Sequence, residues 1–293
     1  MAKKINNPYL IVINKDNKFN VDNYNGLKYV DVDVRQGDQG KNKSYIEKQT
    51  LQAYEQARLE LQSIGGDCWI NSAGRTEDDQ KFAIEEKYNQ IYMDKLKQAG
   101  LDQIPQNELS AEQQQLIMSL QQEARKETDA VTLPIGFSEH QCGLAIDIGV
   151  DMTKVKIPDN IKQNYPENTP QGFLNFSTRR LIMENHGFIL RYPENARLRE
   201  VTGVKKPEGW HWRYVEPEHS QIMAHIRERA TNELNVLTED GKVVTQEVFL
   251  EDYIKLLQYE ITASSEDELL DKYVELFKTE ILHLENENNQ SLQ

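Results

Sequence analysis

Residues Ser138–Asp147 read SEHQCGLAID, and the interpretation of the whole chain starts from this stretch. It places an imidazole, His140, and a carboxylate, Asp147, seven residues apart, with Gly143 and Ala145 between them. Small residues let two backbone segments approach closely. A neutral imidazole nitrogen and a carboxylate oxygen are both ordinary zinc ligands, and a catalytic zinc usually takes three protein ligands. The stretch therefore predicts two ligands of a metal site and leaves a third to be found.

The third candidate lies in the segment GWHWRYV, Gly209–Val215. Here His211 stands between two tryptophans at the start of a β-prone run. Three residues earlier comes Glu208, a carboxylate that could reach a water on the metal without being a ligand itself. A metal that acidifies water and a carboxylate that takes its proton form the usual pair for metal-assisted hydrolysis.

These motifs resemble those of the VanY-type D-alanyl-D-alanine carboxypeptidases and their D,D-dipeptidase relatives, zinc peptidases that trim bacterial peptidoglycan stems. The resemblance extends from about Tyr9 to about His225. The family pattern Ser-x-His-x-x-Gly-x-Ala-x-Asp is met in full, the Glu-x-Trp-His signature is met, and a Ser-x-x-Arg-Ser/Thr segment is matched. The matching residues are Ser138, His140, Gly143, Ala145 and Asp147, then Glu208, Trp210 and His211, and last Ser72, Arg75 and Thr76.

The resemblance implies a site and an activity. The activity would be zinc-dependent removal of the terminal D-alanine from peptidoglycan stem peptides. His140, Asp147 and His211 would hold Zn²⁺, and Glu208 would act as general base and then as general acid. Arg75 would stabilise the scissile carbonyl or bind the substrate carboxylate. Ser138 and Gln80 would make further contacts with the substrate.

Two departures from the family pattern keep other functions open. Gly209 follows the glutamate where relatives usually have proline, and glycine loosens the backbone that aims Glu208. Gly74 stands where relatives often have tyrosine, which predicts a wider pocket or a shifted specificity. One alternative is an L,D-carboxypeptidase or an L-alanyl-D-glutamate endolysin on the same fold. Another is a non-catalytic wall-binding or interaction module.

Several residues compete for the site roles. Cys142 shares a side with His140 if the chain there is extended, and thiolate binds zinc well, although a small buried thiol is the simpler interpretation. Asp151 competes with Asp147, and Glu139 is the next candidate base after Glu208. Arg75 is also compatible with a surface salt bridge. The other histidines form no His-x-x-x-His pair and are predicted to bind no metal: His186, His219, His225 and His283.

Composition narrows the class of partner. The chain of 293 residues has a formal charge of -14, with 48 acidic against 34 basic residues, which disfavours nucleic acid and anionic membranes as partners. Two cysteines, Cys68 and Cys142, exclude a disulfide-stapled scaffold but leave one bridge possible. No apolar run is long enough for a signal peptide or a membrane span. These features predict a cytoplasmic chain as given, or a cell-wall enzyme if a leader was removed or the chain is released as an endolysin.

Strands separated by helices and loops of uneven length predict an α+β fold with a C-terminal helical extension. The family resemblance implies a small antiparallel sheet flanked by helices, a Hedgehog/D,D-peptidase-like zinc fold. Strands are predicted at Tyr9–Asn14, Leu27–Val34, Cys68–Ile70, Phe188–Tyr192 and His211–Val215. Helices are predicted at Ser44–Ile64, opened by a capping box, and at Glu77–Gln98, Ser110–Thr128, Phe173–His186, Pro217–Ala230, Gln246–Glu260 and Ser265–Leu284. A loop is predicted at Thr153–Pro170, and a turn or hairpin at Asn232–Val244.

These elements predict two parts of the chain. Residues 1–228 form the peptidase domain, with a polar helical insertion at about 77–130 beside the cleft or, alternatively, acting as a lid. Residues 229–293 form a helical extension of unknown role.

Overall fold

A computed structural model describes residues 7–14, 17–35, 43–163, 167–192 and 207–224. The strands are β1 (Tyr29–Asp33), β2 (Lys43–Glu47), β3 (Asp67–Ser72), β4 (Ala145–Asp151), β5 (Phe188–Leu190) and β6 (His211–Tyr214). The helices are α1 (Lys48–Ser63), α2 (Glu77–Gln98), α3 (Ala111–Val131), α4 (Asp159–Gln163) and α5 (Gln171–Asn185). Residues 217–224 are also helical.

The strands form two antiparallel sheets. One is the hairpin-like pair β1 and β2, and the other has four strands in the order β3-β4-β6-β5. Strand β4 is therefore flanked on both sides, which suits its alternation of apolar and small residues. This confirms the predicted α+β class with a small antiparallel sheet.

The two faces of the four-stranded sheet serve different purposes. Side chains alternate across a strand, so Ile146 and Ile148 of β4 and Trp212 and Tyr214 of β6 share one face. All four are at most 5% exposed and belong to the hydrophobic core. The intervening positions, which include Asp147 and His211, point to the other face. Burial of the aromatic and branched residues thus fixes which way the polar residues point.

Helices cover the sheet and extend from it. Helices α1 and α5 contact each other, α1 contacts β3, and α5 contacts β5. Helices α2 and α3 contact each other and span the segment that was predicted to be a polar helical insertion. Two capping boxes open these helices, one at Thr76 and Asp79 and one at Ser110 and Gln113.

Two predictions near the N-terminus are wrong. The stretch Tyr9–Asn14 is not a strand: Pro8–Leu10 is a 3-10 turn capped by the Asn7 side chain, and an isolated bridge joins Asn14 to Asn17. The run is apolar because Tyr9, Leu10, Val12 and Ile13 are buried, and burial alone does not specify a strand.

The predicted capping box at Ser44 is also wrong. Residues Lys43–Glu47 pair with β1, and the helix begins at Lys48 with the Glu47 carboxylate accepting from the Thr50 amide at 2.9 Å. Pairing with a neighbouring strand overrode the local preference for a helix start.

The other predicted elements within the described residues are confirmed to within a few positions. The predicted loop Thr153–Pro170 additionally contains the short helix α4. Cys68 and Cys142 are both free and buried. The helices and hairpin predicted beyond residue 224 lie outside the described residues. Within the described part of the chain, no helix is long and apolar enough to cross a membrane.

Candidate metal centre

The register of the sheet places two of the three candidate ligands side by side. Asp147 pairs with Ser72 of β3 on one side and with His211 of β6 on the other. Because directly opposed residues of antiparallel strands project to the same face, the carboxylate and the imidazole meet there. The His211 Nδ1 atom lies 2.9 Å from Asp147 Oδ1.

A 3-10 turn, Glu139–Cys142, delivers His140 to the same place just before β4 begins. The turn ends at Gly143, whose φ is +69°, and a Cβ there would lie 2.8 Å from the Tyr29 ring. Only glycine fits this left-handed, crowded position at low cost. His140 Nε2 then lies 3.3 Å from Asp147 Oδ2. The glycine of the motif therefore has a steric role in presenting the histidine.

The donor set fits a zinc ion. One ligand atom from each of His140, Asp147 and His211 lies within 4.8 Å of the others. Ligands that each sit about 2 Å from a tetrahedral zinc are about 3.3 Å apart, close to the separations seen here. His140 Nδ1 lies 2.7 Å from the Ala73 carbonyl oxygen, so this nitrogen donates its proton and Nε2 is left for a metal.

Protonation in the metal-free protein is set by burial and by mutual contact. Burial lowers the pKa of His140, which favours the neutral form that binds metal. Burial alone would raise the pKa of Asp147, but its close contacts with the His140 and His211 rings hold that pKa well below its usual range. Burial alone would lower the pKa of His211, but its bonds to Asp147 and Glu139 raise it to about 9. Metal binding at His211 therefore has to displace a proton.

Glu208 lines the same cleft, half-buried at the approach to β6. Burial raises the pKa of its carboxyl to about 7; Asp147 adds to that rise, while His211 and Arg75 oppose it. Glu208 belongs to the cleft and is not a member of the ligand cluster. A carboxyl poised near neutral pH beside a metal site has the protonation behaviour of a general base.

The backbone around Glu208 is held despite Gly209. The Glu208 amide donates to the Tyr192 carbonyl at 2.9 Å, and the Glu208 carbonyl accepts from the His211 amide at 3.0 Å. The Arg179 guanidinium donates to the Gly209 carbonyl at 3.0 Å. These three bonds hold the backbone at Glu208 and Gly209, so the glycine does not leave this segment loose.

The second departure, Gly74, lies outside the lining of the cleft. A Cβ at Gly74 would lie 2.4 Å from the Tyr45 ring, and Gly74 is not among the residues that line the cleft. The Tyr45 hydroxyl donates to the carbonyl oxygens of Arg75 at 2.8 Å and Gln141 at 3.1 Å. A tyrosine from β2 thus occupies the space beside position 74, and the expectation of a wider pocket or a shifted specificity stays a prediction.

Arg75 lies in the cleft and not in a surface salt bridge. Its side chain is 18% exposed and its Nη2 lies 3.8 Å from Asp147 Oδ2. Nη2 also donates to Ser72 Oγ at 3.1 Å, and the Arg75 amide donates to the His140 carbonyl at 3.1 Å. The turn after β3 therefore ties the arginine to the turn that carries the first histidine.

The cleft has a volume of about 650 Å³ and is bounded by the metal cluster and by helix α2. Ser138 and Gln80 both line it. The Gln80 amide nitrogen donates to the Leu133 carbonyl at 2.8 Å, while its buried oxygen has no hydrogen-bond partner among the described residues. Ala83, Glu86, Lys87 and Gln90 of α2 continue the wall outward. The polar insertion therefore shapes one side of the site.

Two aromatic residues that line the cleft were not predicted from the sequence. Tyr192, just after β5, lies with its ring centroid 4.6 Å from that of His211. Trp210 is 50% exposed and also lines the cleft. The position of Trp210 beside His211 in sequence hinted at this role, but only the pairing of β5 with β6 brings Tyr192 to the metal cluster.

The rival residues lie elsewhere. The Cys142 thiol donates to the Glu139 carbonyl at 2.9 Å and contacts Arg213, so it is a buried thiol outside the cluster. Asp151 is exposed at the end of β4 and accepts from Thr153. His186 lies 2.7 Å from Glu60, and His219 lies 3.8 Å from Glu216. His225 and His283 fall outside the described residues.

Glu139 is not placed to act as a base in the cleft. Its carboxylate is fully buried and does not line the cleft. Burial alone would raise the pKa of this carboxyl, but the Arg191 guanidinium and hydrogen bonding from His211 hold it at about 2. Glu139 is therefore a permanent carboxylate behind the site.

An antiparallel sheet that presents a His-Asp-His cluster, with a carboxylate and a guanidinium in the same cleft, is typical of single-metal hydrolases. A family model described as VanY, D-alanyl-D-alanine carboxypeptidase, matches residues 43–217. The chain belongs to this family.

Individual relatives agree with this membership. A D-alanyl-D-alanine carboxypeptidase of Enterococcus faecium is 35% identical over 136 residues, 45% of this chain and 37% of that protein. The bifunctional D-Ala-D-Ala dipeptidase and carboxypeptidase VanXYC of Enterococcus gallinarum is 42% identical over 96 residues, 32% of this chain and 43% of that protein. The chain thus spans less than half the length of these curated relatives.

A solved structure shares the fold. It is a variant of the vancomycin-resistance D,D-pentapeptidase VanY from a VanB-type resistance cassette, crystallised with Zn(II). The match has a TM-score of 0.51 and 21% identity, and covers 85% of this chain and 99% of that one.

Proposed function

We propose that this chain is a zinc-dependent carboxypeptidase that removes the terminal D-alanine from peptidoglycan stem peptides. The observation that supports this most strongly is the convergence of a His-Asp-His cluster, with ligand atoms within 4.8 Å of one another, and of Glu208 and Arg75 on one cleft. Membership of the VanY family supports the choice of substrate.

In this proposal His140, Asp147 and His211 hold the metal. Zinc, when bound, would act as a Lewis acid and would lower the pKa of water, so that the water can lose a proton and attack near neutral pH. The Glu208 carboxylate accepts a proton from the attacking water and returns it to the leaving amine of D-alanine. Its raised pKa suits both transfers, because a group near pH 7 can accept and donate with little penalty.

Substrate orientation falls to the rest of the cleft. The Arg75 guanidinium offers paired N–H donors to the scissile carbonyl oxygen as charge develops on it, or to the substrate carboxylate. The Ser138 hydroxyl, which lines the cleft and caps no helix with its side chain, would donate to the free carboxylate. The unpartnered Gln80 oxygen would accept from a substrate N–H group.

The direct test is mass spectrometry of defined stem peptides after incubation with the zinc-loaded protein. Loss of one D-alanine from a pentapeptide, and none from a tetrapeptide, is the expected result. Trimming of the tetrapeptide would instead indicate an L,D-carboxypeptidase, and cleavage between L-alanine and D-glutamate an endopeptidase. Zinc binding without any cleavage would indicate a non-catalytic module.

Arg75→Lys is expected to lower kcat/KM by about a hundredfold, on the order of 3 kcal/mol, since lysine keeps the charge but loses the planar fork of donors. The matched control is Arg58→Lys, which changes an arginine paired with Asp67 at 2.8 Å on the surface. Steady-state kinetics on the pentapeptide should show little change for the control. Equal activity of both variants would remove Arg75 from the mechanism.

We further propose that catalysis resides in residues 1–228 and that 229–293 form a separate extension. Every site residue lies between Ser72 and Tyr214, and the family match ends at residue 217. A chain ending at residue 228 is expected to keep zinc content and pentapeptide turnover within a few-fold of the full chain. A shortened chain that shows native circular dichroism and binds zinc but turns nothing over would show that the extension takes part in catalysis.

A further inference from the structure

A buried ion pair lies directly behind the metal cluster. The Arg191 Nε atom donates to Glu139 Oε1 at 3.1 Å, and both side chains are 0% exposed. Glu139 belongs to the 3-10 turn that presents His140, and Arg191 follows β5. Desolvating two charges costs several kcal/mol per ion, which the attraction within the pair only partly repays. Stability alone is therefore a weak explanation for this pair.

The second oxygen of Glu139 points to a metal ligand. Glu139 Oε2 lies 3.5 Å from His211 Nε2, within ion-pair distance but longer than an ordinary hydrogen bond. Both atoms are buried, and neither has a hydrogen-bond partner among the described residues. On its other side, the His211 ring meets Asp147 through Nδ1 at 2.9 Å. The ring is thus held between two carboxylates, one in the cluster and one behind it.

This arrangement selects which nitrogen of His211 faces the metal. A carboxylate accepts hydrogen bonds and donates none, so a nitrogen that faces Glu139 must carry the proton. In the metal-free protein Nδ1 also faces a carboxylate, that of Asp147 at 2.9 Å, but Asp147 is itself a proposed ligand. A metal bound between these two residues would replace the Nδ1 proton, while Glu139 keeps the proton on Nε2. His140 differs in both respects, because its Nδ1 donates to the neutral Ala73 carbonyl and its Nε2 faces the cluster.

We propose that Glu139, fixed by Arg191, is a positioning residue that sets the tautomer of His211 and strengthens its hold on the metal. The proposal rests on the zinc site proposed above. A charged acceptor behind a ligand histidine orients the ring and raises its basicity, and removal of such a partner typically costs about 10–100-fold in metal affinity. Arg191 supplies the opposite charge that keeps Glu139 buried as a carboxylate.

The variant that tests this is Glu139→Gln, which preserves shape but removes the charge. Zinc affinity, measured by competition with a chelator, is expected to fall by about 10–100-fold. The matched control is Glu184→Gln, since Glu184 is also a buried carboxylate paired with an arginine, Arg180, at 3.0 Å, but lies on α5 outside the cleft. The control should lose thermal stability without losing zinc affinity.

A second measurement needs no Glu139 variant. Nitrogen-15 NMR of histidine-labelled, zinc-loaded wild-type protein is expected to show His211 bound through Nδ1 with its proton on Nε2, the ring signals being assigned by through-bond correlation to the His211 backbone. Binding through Nε2 would overturn the proposal. So would folded Glu139→Gln with unchanged zinc affinity, or an equal loss of affinity in Glu184→Gln. A wild-type protein that binds no zinc would instead refute the proposed function itself.

Discussion

His140→Ala is expected to remove zinc and peptidase activity together. Alanine deletes one of three ligands and leaves only Asp147 and His211, too few for a stable site. Loss of a ligand itself should cost more than the roughly hundredfold that loss of an outer-shell partner can cost. Zinc content by atomic emission and turnover of the stem pentapeptide should both fall to near background. His211→Ala should behave in the same way.

The control for this experiment is His186→Ala. His186 caps the C-terminal end of α5 outside the cleft, where its Nε2 contacts Glu60 at 2.7 Å, so its removal should change neither zinc content nor turnover. Circular dichroism of each variant separates loss of metal from loss of fold. A folded His140→Ala protein that keeps one zinc per chain would refute the proposed ligand set.

The site was predictable because its residues occur in short motifs whose spacing reflects local geometry. His140, Gly143 and Asp147 lie within one turn and the strand that follows it, so their order along the chain is nearly their order in space. By contrast, the pairing of Asp147 with His211 is a matter of strand register between segments 64 residues apart. Only the resemblance to a family connected them in advance.

The wrong predictions share one cause. The apolar run Tyr9–Asn14 and the capping box at Ser44 were both inferred from a few neighbouring residues. Whether such a segment becomes strand, turn or helix depends on what it packs against. Ser44 donates to the Gly74 carbonyl, and Tyr45 contacts both the Gly74 position and the turn at Gln141. These contacts with distant residues hold the segment in a strand, and local propensity does not include them.

Glu139 shows the same limit at the site itself. In the pattern Ser-x-His it occupies the unspecified position between Ser138 and His140, and it was predicted only as the next candidate base after Glu208. In the folded chain it is fully buried and pairs with Arg191, which lies 52 residues later in the sequence, just after β5. A buried charge becomes interpretable only when its partner is known.

Glu208→Gln is expected to separate chemistry from metal binding. The glutamine cannot accept a proton from water, so activity should fall by roughly 100- to 10,000-fold, the usual contribution of general acid-base catalysis. Zinc should remain near one per chain, because the ligand cluster does not include Glu208. The measurement pairs kcat on the pentapeptide with zinc content of the same sample. Glu86→Gln, which changes a carboxylate on the α2 wall of the same cleft, should keep activity within a few-fold.

The pH profile gives this prediction a second test. A general base works only when deprotonated, so wild-type kcat/KM should fall as pH drops through the pKa of Glu208. Burial places that pKa at about 7 without metal. A nearby dication favours the carboxylate, so the acid limb in the zinc enzyme is expected below that value. Two results would contradict the assignment. Loss of zinc in Glu208→Gln would make Glu208 a ligand, and full activity in that variant would mean that another group, or water alone, takes the proton.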